Sequence, residues 1–323
     1  MSIISIGILA QSTGQNYIHT RTFTSATGSN YLDAVQYFDG LGRPVQGVQS
    51  GMTPMQKDLV SLQEYDSFGR ESNAWLPAAI DNNNGAYVNP ATVRAQAVAT
   101  NRSDQKPYSM PEYESSPLNR VVKQYGPGAD WQNTGAGKAV RTAYLTNIVN
   151  VDTLNCKRYR IEETANDTIL KLVYVDNYET GQLYVTRTED EEGNTSFEFK
   201  DKLGQVVLTR QIIYNGSNKN PHDTYYVYDD FGNLRAVLPP LMSDVVKNFS
   251  EGTAWLSDGV SIQTYRYCYL YKYDNRNRCI AKKLPGCSWI YYVYDKADRL
   301  IFTQDGEQRL KGEWTFSIPD VLG

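Results

Sequence analysis

Histidine is almost missing from this chain: its 323 residues contain two, His19 and His222. A Ser-His-Asp or Cys-His centre would have to be built on one of them, and His222 follows Asn218-Lys219-Asn220-Pro221, a solvated loop by its composition. No phosphate-binding glycine loop, dinucleotide fingerprint or His-Glu-x-x-His pair occurs. The four cysteines, Cys156, Cys268, Cys279 and Cys287, show no C-x-x-C spacing. With two histidines they make no metal constellation, so neither metal nor organic cofactor is expected. Cys279 and Cys287 flank Leu284-Pro285-Gly286, where adjacent strands would allow a disulfide; free buried thiols are the alternative. No apolar run approaches about 18 residues, so nothing is expected to span a membrane. A formal net charge of −4 and the lack of a basic cluster give no electrostatic reason to bind nucleic acid.

Tyrosine is what the chain has in excess, 25 against 9 phenylalanines. Its ring buries while its hydroxyl stays wet, which suits a sheet with one packed face and one solvated face. Many of these tyrosines belong to a repeated unit, clearest in Tyr271-Lys272-Tyr273-Asp274-Asn275-Arg276-Asn277-Arg278 and Tyr292-Val293-Tyr294-Asp295-Lys296-Ala297-Asp298-Arg299. Aromatic alternation before the Asp reads as a half-buried strand. The Asp can bond backbone N–H groups two residues on, and the residue three after it should need φ > 0. Five further units fit: Tyr37–Arg43 with Asp39, Glu64–Arg70 with Asp66, Phe199–Gln205 with Asp201, Val227–Asn233 with Asp229, and a looser Tyr113–Arg120. The residues at the turn position are Gly42, Gly69, Asn119, Gly204, Gly232, Asn277 and Asp298, all types that tolerate the left-handed conformation. Each unit is therefore read as a β-hairpin. Leu76-Pro77, Leu238-Pro239 and Leu284-Pro285 close several of them at similar spacing.

Tyr-Asp followed by x-x-Gly-Arg resembles the YD repeat of RHS proteins. The order of the units, and the stretches Tyr37–Gln46, Ser116–Gly128, Gly181–Gln211 and Arg276–Arg309, resemble the N-terminal part of large RHS/YD-repeat proteins of Gram-negative bacteria. The likeness runs from about Asn16 onward. It implies hairpins joined side by side into an extended strip that curves or spirals into a hollow shell, which in full-length members encloses a C-terminal toxin or effector. Nothing here resembles the self-cleaving core or a toxin domain, so those activities do not carry over.

The expected fold is thus mainly β, an extended antiparallel sheet of hairpin repeats with one or two short helices. Met1–Gln11 is apolar without Lys or Arg, and reads either as the tail of a signal peptide or as an ordinary first strand. Residues 1–15 are set apart on that ground, 16–150 as an N-terminal RHS-associated region with a helical insertion, and 151–323 as the YD-repeat sheet. Asn89-Pro90 predicts a helix start, with helix to about residue 101, and a second short piece is expected near 242–249. Trp131, in a glycine-rich stretch, either lines a groove or plugs a packing gap. Alternation over Arg158–Thr188 predicts consecutive antiparallel strands. The run Glu189-Asp190-Glu191-Glu192 has the charge for a Ca²⁺ site or a glycosidase pair, but at a hairpin tip it reads as a solvated turn. Ile318-Pro319-Asp320-Val321-Leu322-Gly323 contains half of another turn, so the chain is expected to be a fragment of a longer protein, with an open edge.

The repeated arginines Arg43, Arg70, Arg120, Arg278 and Arg299 are expected to stack on tyrosines or pair with the turn acids rather than bind a ligand. Catalysis is left without support. Two functions remain: a shell wall of a secreted or cell-surface protein, with its partners the rest of a longer RHS chain or its toxin cargo, and a carbohydrate- or protein-binding face of exposed Tyr and Trp.

Overall fold

The computed structural model describes residues 12, 14–132, 138–163, 170–216, 218–246, 253–256 and 266–318. The leader reading of Met1–Gln11 and most of the terminal half-turn lie outside these. The chain divides into two compact units, residues 1–142 with 190–192, and residues 143–189 with 193–323.

In the first unit, strands follow one another as antiparallel neighbours: β1 (Asn16–Phe23), β2 (Tyr31–Phe38), β3 (Pro44–Gln49), β4 (Asp58–Tyr65), β5 (Glu71–Ile80), β6 (Tyr108–Tyr113), β7 (Val121–Tyr125) and β8, which starts at Ala139. Between β5 and β6 lies helix α1 (Pro90–Thr100). Asn89 caps it through its side chain, accepting from the Ala91 N–H, and Pro90 takes the first helical position, where a missing N–H costs nothing. Alternate residues of the strands, Val35, Tyr37, Val48, Val60 and Leu62, bury against Val93 and Ala97 of α1. Buried polar groups in this core are paired. Gln46 exchanges two 2.8 Å bonds with the backbone of Val88, and the Tyr37 hydroxyl donates to the Gly85 carbonyl at 2.7 Å.

The second unit contains β9 (Lys157–Glu163), β10 (Leu170–Asn177), β11 (Tyr184–Glu189), β12 (Thr195–Lys200), β13 (Val206–Asn215), β14 (Asn218–Tyr228), β15 (Leu234–Leu238), β16 (Thr253–Leu256), β17 (Tyr269–Tyr273), β18 (Cys279–Lys283), β19 (Ile290–Tyr294), β20 (Leu300–Gln304) and β21 (Thr315–Phe316). From β11 to β21, leaving out β16, each strand pairs antiparallel with the next. The alternation over Arg158–Thr188 does give three strands, but not three neighbours. β9, β10 and β16 form a separate sheet, and β11 joins β12 instead. Leu170 and Leu172 of β10 bury in one cluster with Phe199, Leu208, Leu238 and Leu270, so burial of a shared apolar face decides that partner choice.

The second helix, α2, spans Pro240–Val246, starting before the expected 242–249 and burying Met242, Ser243 and Val246. A third, α3 (Gly306–Lys311), adds to the two expected. Its capping box of Asp305 and Gln308 and its left-handed Gly312 at φ +68° were legible signals. His222 lies in β14 opposite Gln211, not in a loop, because the strand begins four residues earlier, at Asn218, and carries Pro221 within it.

Candidate functional site

The candidate site is, within each compact unit, the set of successive hairpin turns that carries the repeated residues. In the first, Asp39 Oδ1 accepts from the N–H groups of Leu41 (2.8 Å) and Arg43 (2.9 Å), while Arg43 Nε donates to Oδ2 at 2.7 Å. Gly42 N–H donates to the Asp39 carbonyl at 3.1 Å, with Gly42 at φ +79°. The strand register slips between Tyr37 and Phe38. This is a type I turn followed by a left-handed residue and a bulge, the geometry of a three-residue hairpin loop. Asp66, Asp274 and Asp295 repeat the full set, with Arg70, Arg278 and Arg299 as partners. Asp201 and Asp229 make the two backbone bonds, but Gln205 and Asn233 stand where an arginine would be. In the looser unit Ser116 Oγ takes over the backbone cap and Glu114 receives Arg120 with two bonds, 2.9 and 2.8 Å. The other turn positions stand at φ +80° (Gly69), +52° (Asn119), +81° (Gly204), +82° (Gly232), +58° (Asn277) and +63° (Asp298).

The same residues reach across to the next hairpin. Arg43 Nη1 donates to the Gly69 carbonyl at 2.9 Å and Arg70 Nη1 to Asn119 Oδ1 at 3.1 Å. Gln205 bonds the Gly232 carbonyl, Asn233 bonds Asn277, and Arg278 bonds Asp298. Three guanidinium groups also lie over the tyrosine preceding the next turn acid: Arg43 on Tyr65 (4.3 Å), Arg70 on Tyr113 (4.3 Å) and Arg278 on Tyr294 (4.9 Å). Those tyrosine hydroxyls donate back to the residue after the arginine, at Pro44, Glu71 and Cys279. Turn acid, arginine and next tyrosine are therefore one linked device. Arg43, Arg70 and Arg278 both stack and pair, and Arg120 and Arg299 pair with Glu114 and Asp295.

Electrostatics follow from these bonds. The Arg43 backbone N–H, ahead of its guanidinium, holds Asp39 below the usual carboxylate range; for Asp274 the Arg278 side chain is the larger cause. Glu114 is drawn down to about 2, by Arg120 first and Ser116 second. All four cysteines are free thiols. Burial pushes Cys156 up strongly and Cys268 up to about 12, so neither has the thiolate a nucleophile needs. His19 sits 3.3 Å from Asp33, beside the Arg21–Asp33 pair. Glu189 pairs with Arg187, and the Glu192 N–H donates to Asp190 Oδ1. Trp131 is 39% exposed, its ring packed against Gly126 and Gly128.

Sequence reasoning missed the residue two after each turn-capping side chain, an Asp or, in the looser unit, Ser116. Leu41, Phe68, Leu203 and Phe231 are 80–82% exposed and Leu118 is 69% exposed. The signal was present, since five of the seven units place a large apolar residue there, at a position that the x-x of the motif leaves open. Another omission is the buried ion pair of Arg210 with Asp223, two bonds of 2.7 Å, with Arg210 Nη1 capping the carbonyls of Asp152 and Asn155. It is a fully satisfied structural pair.

Residues 11–146 match the family model described as "Domain of unknown function (DUF6443)". No curated protein matches. Among solved structures, the TcdB2–TccC3 complex is similar at TM-score 0.54 and 13% identity, over 90% of this chain and 12% of that one. The Photorhabdus luminescens Tc holotoxin pore with TccC3 is similar at 0.52 and 14%, over 90% and 12%. The TcdB2–TccC3–Cdc42 complex is similar at 0.51 and 14%, over 85% and 11%. The chain thus spans a small part of those chains, and at such identities the likeness is one of fold. What this chain shares with them is the fold, a sheet of consecutive antiparallel hairpins.

Proposed function

We propose that this chain is a non-catalytic structural segment, a wall of the shell of a secreted or cell-surface RHS/YD-repeat protein that encloses or presents a C-terminal toxin or effector. The observation that carries the reading is the linkage between hairpins. The residues with the most chemistry in the repeat, its acids, arginines and tyrosines, are spent on holding one hairpin to the next. That is the economy of a wall rather than of a catalytic site. The similar solved chains belong to toxin complexes, which supports the same reading. Residues 16–150 would form the N-terminal RHS-associated part and 151–323 the repeat sheet, acting outside the cytoplasm. Electron microscopy of the native gene product tests this: a hollow particle with this segment in its wall is expected, and a particle without a lumen refutes it. A glycan-array screen of the chain is expected to be blank. Specific retention would instead favour a carbohydrate-binding face.

A further inference from the structure

In the hairpin of Asp201 a glutamine, Gln205, stands at the arginine position and keeps the link to the next hairpin through the Gly232 carbonyl, but it carries no charge to the turn acid. Asp201 Oδ1 caps its turn as usual, through Leu203 and Gln205, but among the described residues no cation bonds the carboxylate, because Gln205 turns its amide to Gly232. Among the described residues, no arginine stacks on Tyr228, the tyrosine of the next unit, as Arg43 does on Tyr65. The following hairpin, whose Asn233 also departs from the pattern, shows the contrast. There Asn233 bonds Asp229 Oδ2 and Arg235 approaches it at 3.5 Å, so the place is filled. At Asp201 a cleft of about 320 Å³ opens instead, lined by Asp201, Gln205, Tyr228, Tyr178, Tyr159 and Lys157. Tyr159, 8% exposed, carries the only buried side-chain hydroxyl among the described residues without a hydrogen-bond partner. Asp229 and Asp230 also line the cleft, and Lys157 is the one cation among its lining residues, its ammonium 5.1 Å from the Tyr174 ring.

We propose that this cleft binds a guanidinium group, the arginine side chain of a partner polypeptide, which would sit beside Gln205 and make the two contacts that the Gln205 side chain does not: to the turn carboxylate of Asp201 and over the ring of Tyr228. The other hairpins show what the place accepts: a planar cation, hydrogen-bonded to the turn carboxylate and stacked on the tyrosine of the next unit. An arginine does both at once, which a lysine's point charge does not. The cleft is large enough for a whole side chain, and its aromatic walls would cover the aliphatic stem. This site stands independently of the shell reading, since it rests on the local repeat geometry alone.

The test is calorimetric titration of the full chain with Nα-acetylarginine amide and with Nα-acetylcitrulline amide, its neutral near-isostere. The arginine derivative is expected to bind saturably at one site and the citrulline derivative at least about ten-fold more weakly. Asp201→Asn keeps an oxygen for the turn cap but loses the charge, and should weaken arginine binding by about ten-fold or more. Gln205→Arg should fill the cleft from within, abolishing binding and raising the melting temperature. Equal binding of citrulline, no saturable binding of arginine, or undiminished binding by either variant overturns the proposal. If Gln205→Arg does not fold, Asp201→Asn and the citrulline comparison decide alone.

Discussion

Two glycines of the turn row separate two costs that sequence alone merges. Gly69 stands at φ +80°, and a Cβ built there would lie 2.8 Å from Arg43 Nη1; Gly42, at φ +79°, has nothing within 4 Å. Both carry backbone strain for any side chain, but only Gly69 also obstructs the link to its neighbour. Gly69→Val should destabilise by about 1–3 kcal/mol, the usual cost of a β-branched residue held at positive φ. Asparagine is not equally mild at every such position. Asn119 and Asn277 adopt the conformation, so Gly42→Asn should cost less than about 1 kcal/mol, whereas Gly69→Asn must also displace the Arg43 guanidinium. Urea midpoints of the three variants check this. Equal tolerance of valine and asparagine would show that the turn does not enforce its left-handed residue.

Between hairpins, the backbone ladder and the side-chain link act together, and a double-mutant cycle separates them. Arg43→Ala and Tyr65→Ala, alone and combined, should show a coupling of about 0.5–1 kcal/mol, as expected for a guanidinium over an aromatic ring at a partly exposed site. The control pair Arg43 with Tyr113 should show none, because Tyr113 carries Arg70 instead. A coupling of zero for Arg43 and Tyr65 would leave hairpin cohesion to the ladder alone. The strand partnerships were less visible from sequence than the strands. The alternation of β9, β10 and β11 fixes that each is a strand, but not that β9 and β10 leave the repeat sheet to pair with β16. Alternation specifies a buried face and says nothing of which neighbour covers it.

For the chain as a whole, the turn acids make stability depend on pH in one direction. Asp39, Asp274, Asp295 and Glu114 all titrate below their ordinary values when folded, Glu114 at about 2. The unfolded chain binds protons near pH 4 to 4.5, its ordinary carboxylate range, where these groups are still ionised in the fold. Their contribution is therefore fully present above that range and is lost as pH falls through the folded values toward about 2. Glu114→Gln should lower stability at neutral pH and flatten its decline between about pH 4.5 and 2 relative to the parent. Denaturant melts across that interval measure it, and parallel curves for parent and variant would show that Glu114 is not held ionised by Arg120.

The sequence by itself determined the hairpins. Turn chemistry is local, and an acid, a left-handed residue three places on and an arginine next to it select one loop geometry whatever surrounds them. The start of α1 was readable for the same reason, since Asn89 and Pro90 act within one turn of chain. Only the tertiary structure decided what the repeat residues do beyond their own loop. Arg43 and Tyr65 are 22 residues apart, and their stacking exists only because two hairpins lie side by side. The same juxtaposition gives the substitution at Gln205 its meaning. In the sequence it is a minor departure from a motif, and in the fold it uncovers a carboxylate, a tyrosine face and a cleft. A side chain's cross-hairpin partner depends on strand register, which no single repeat encodes.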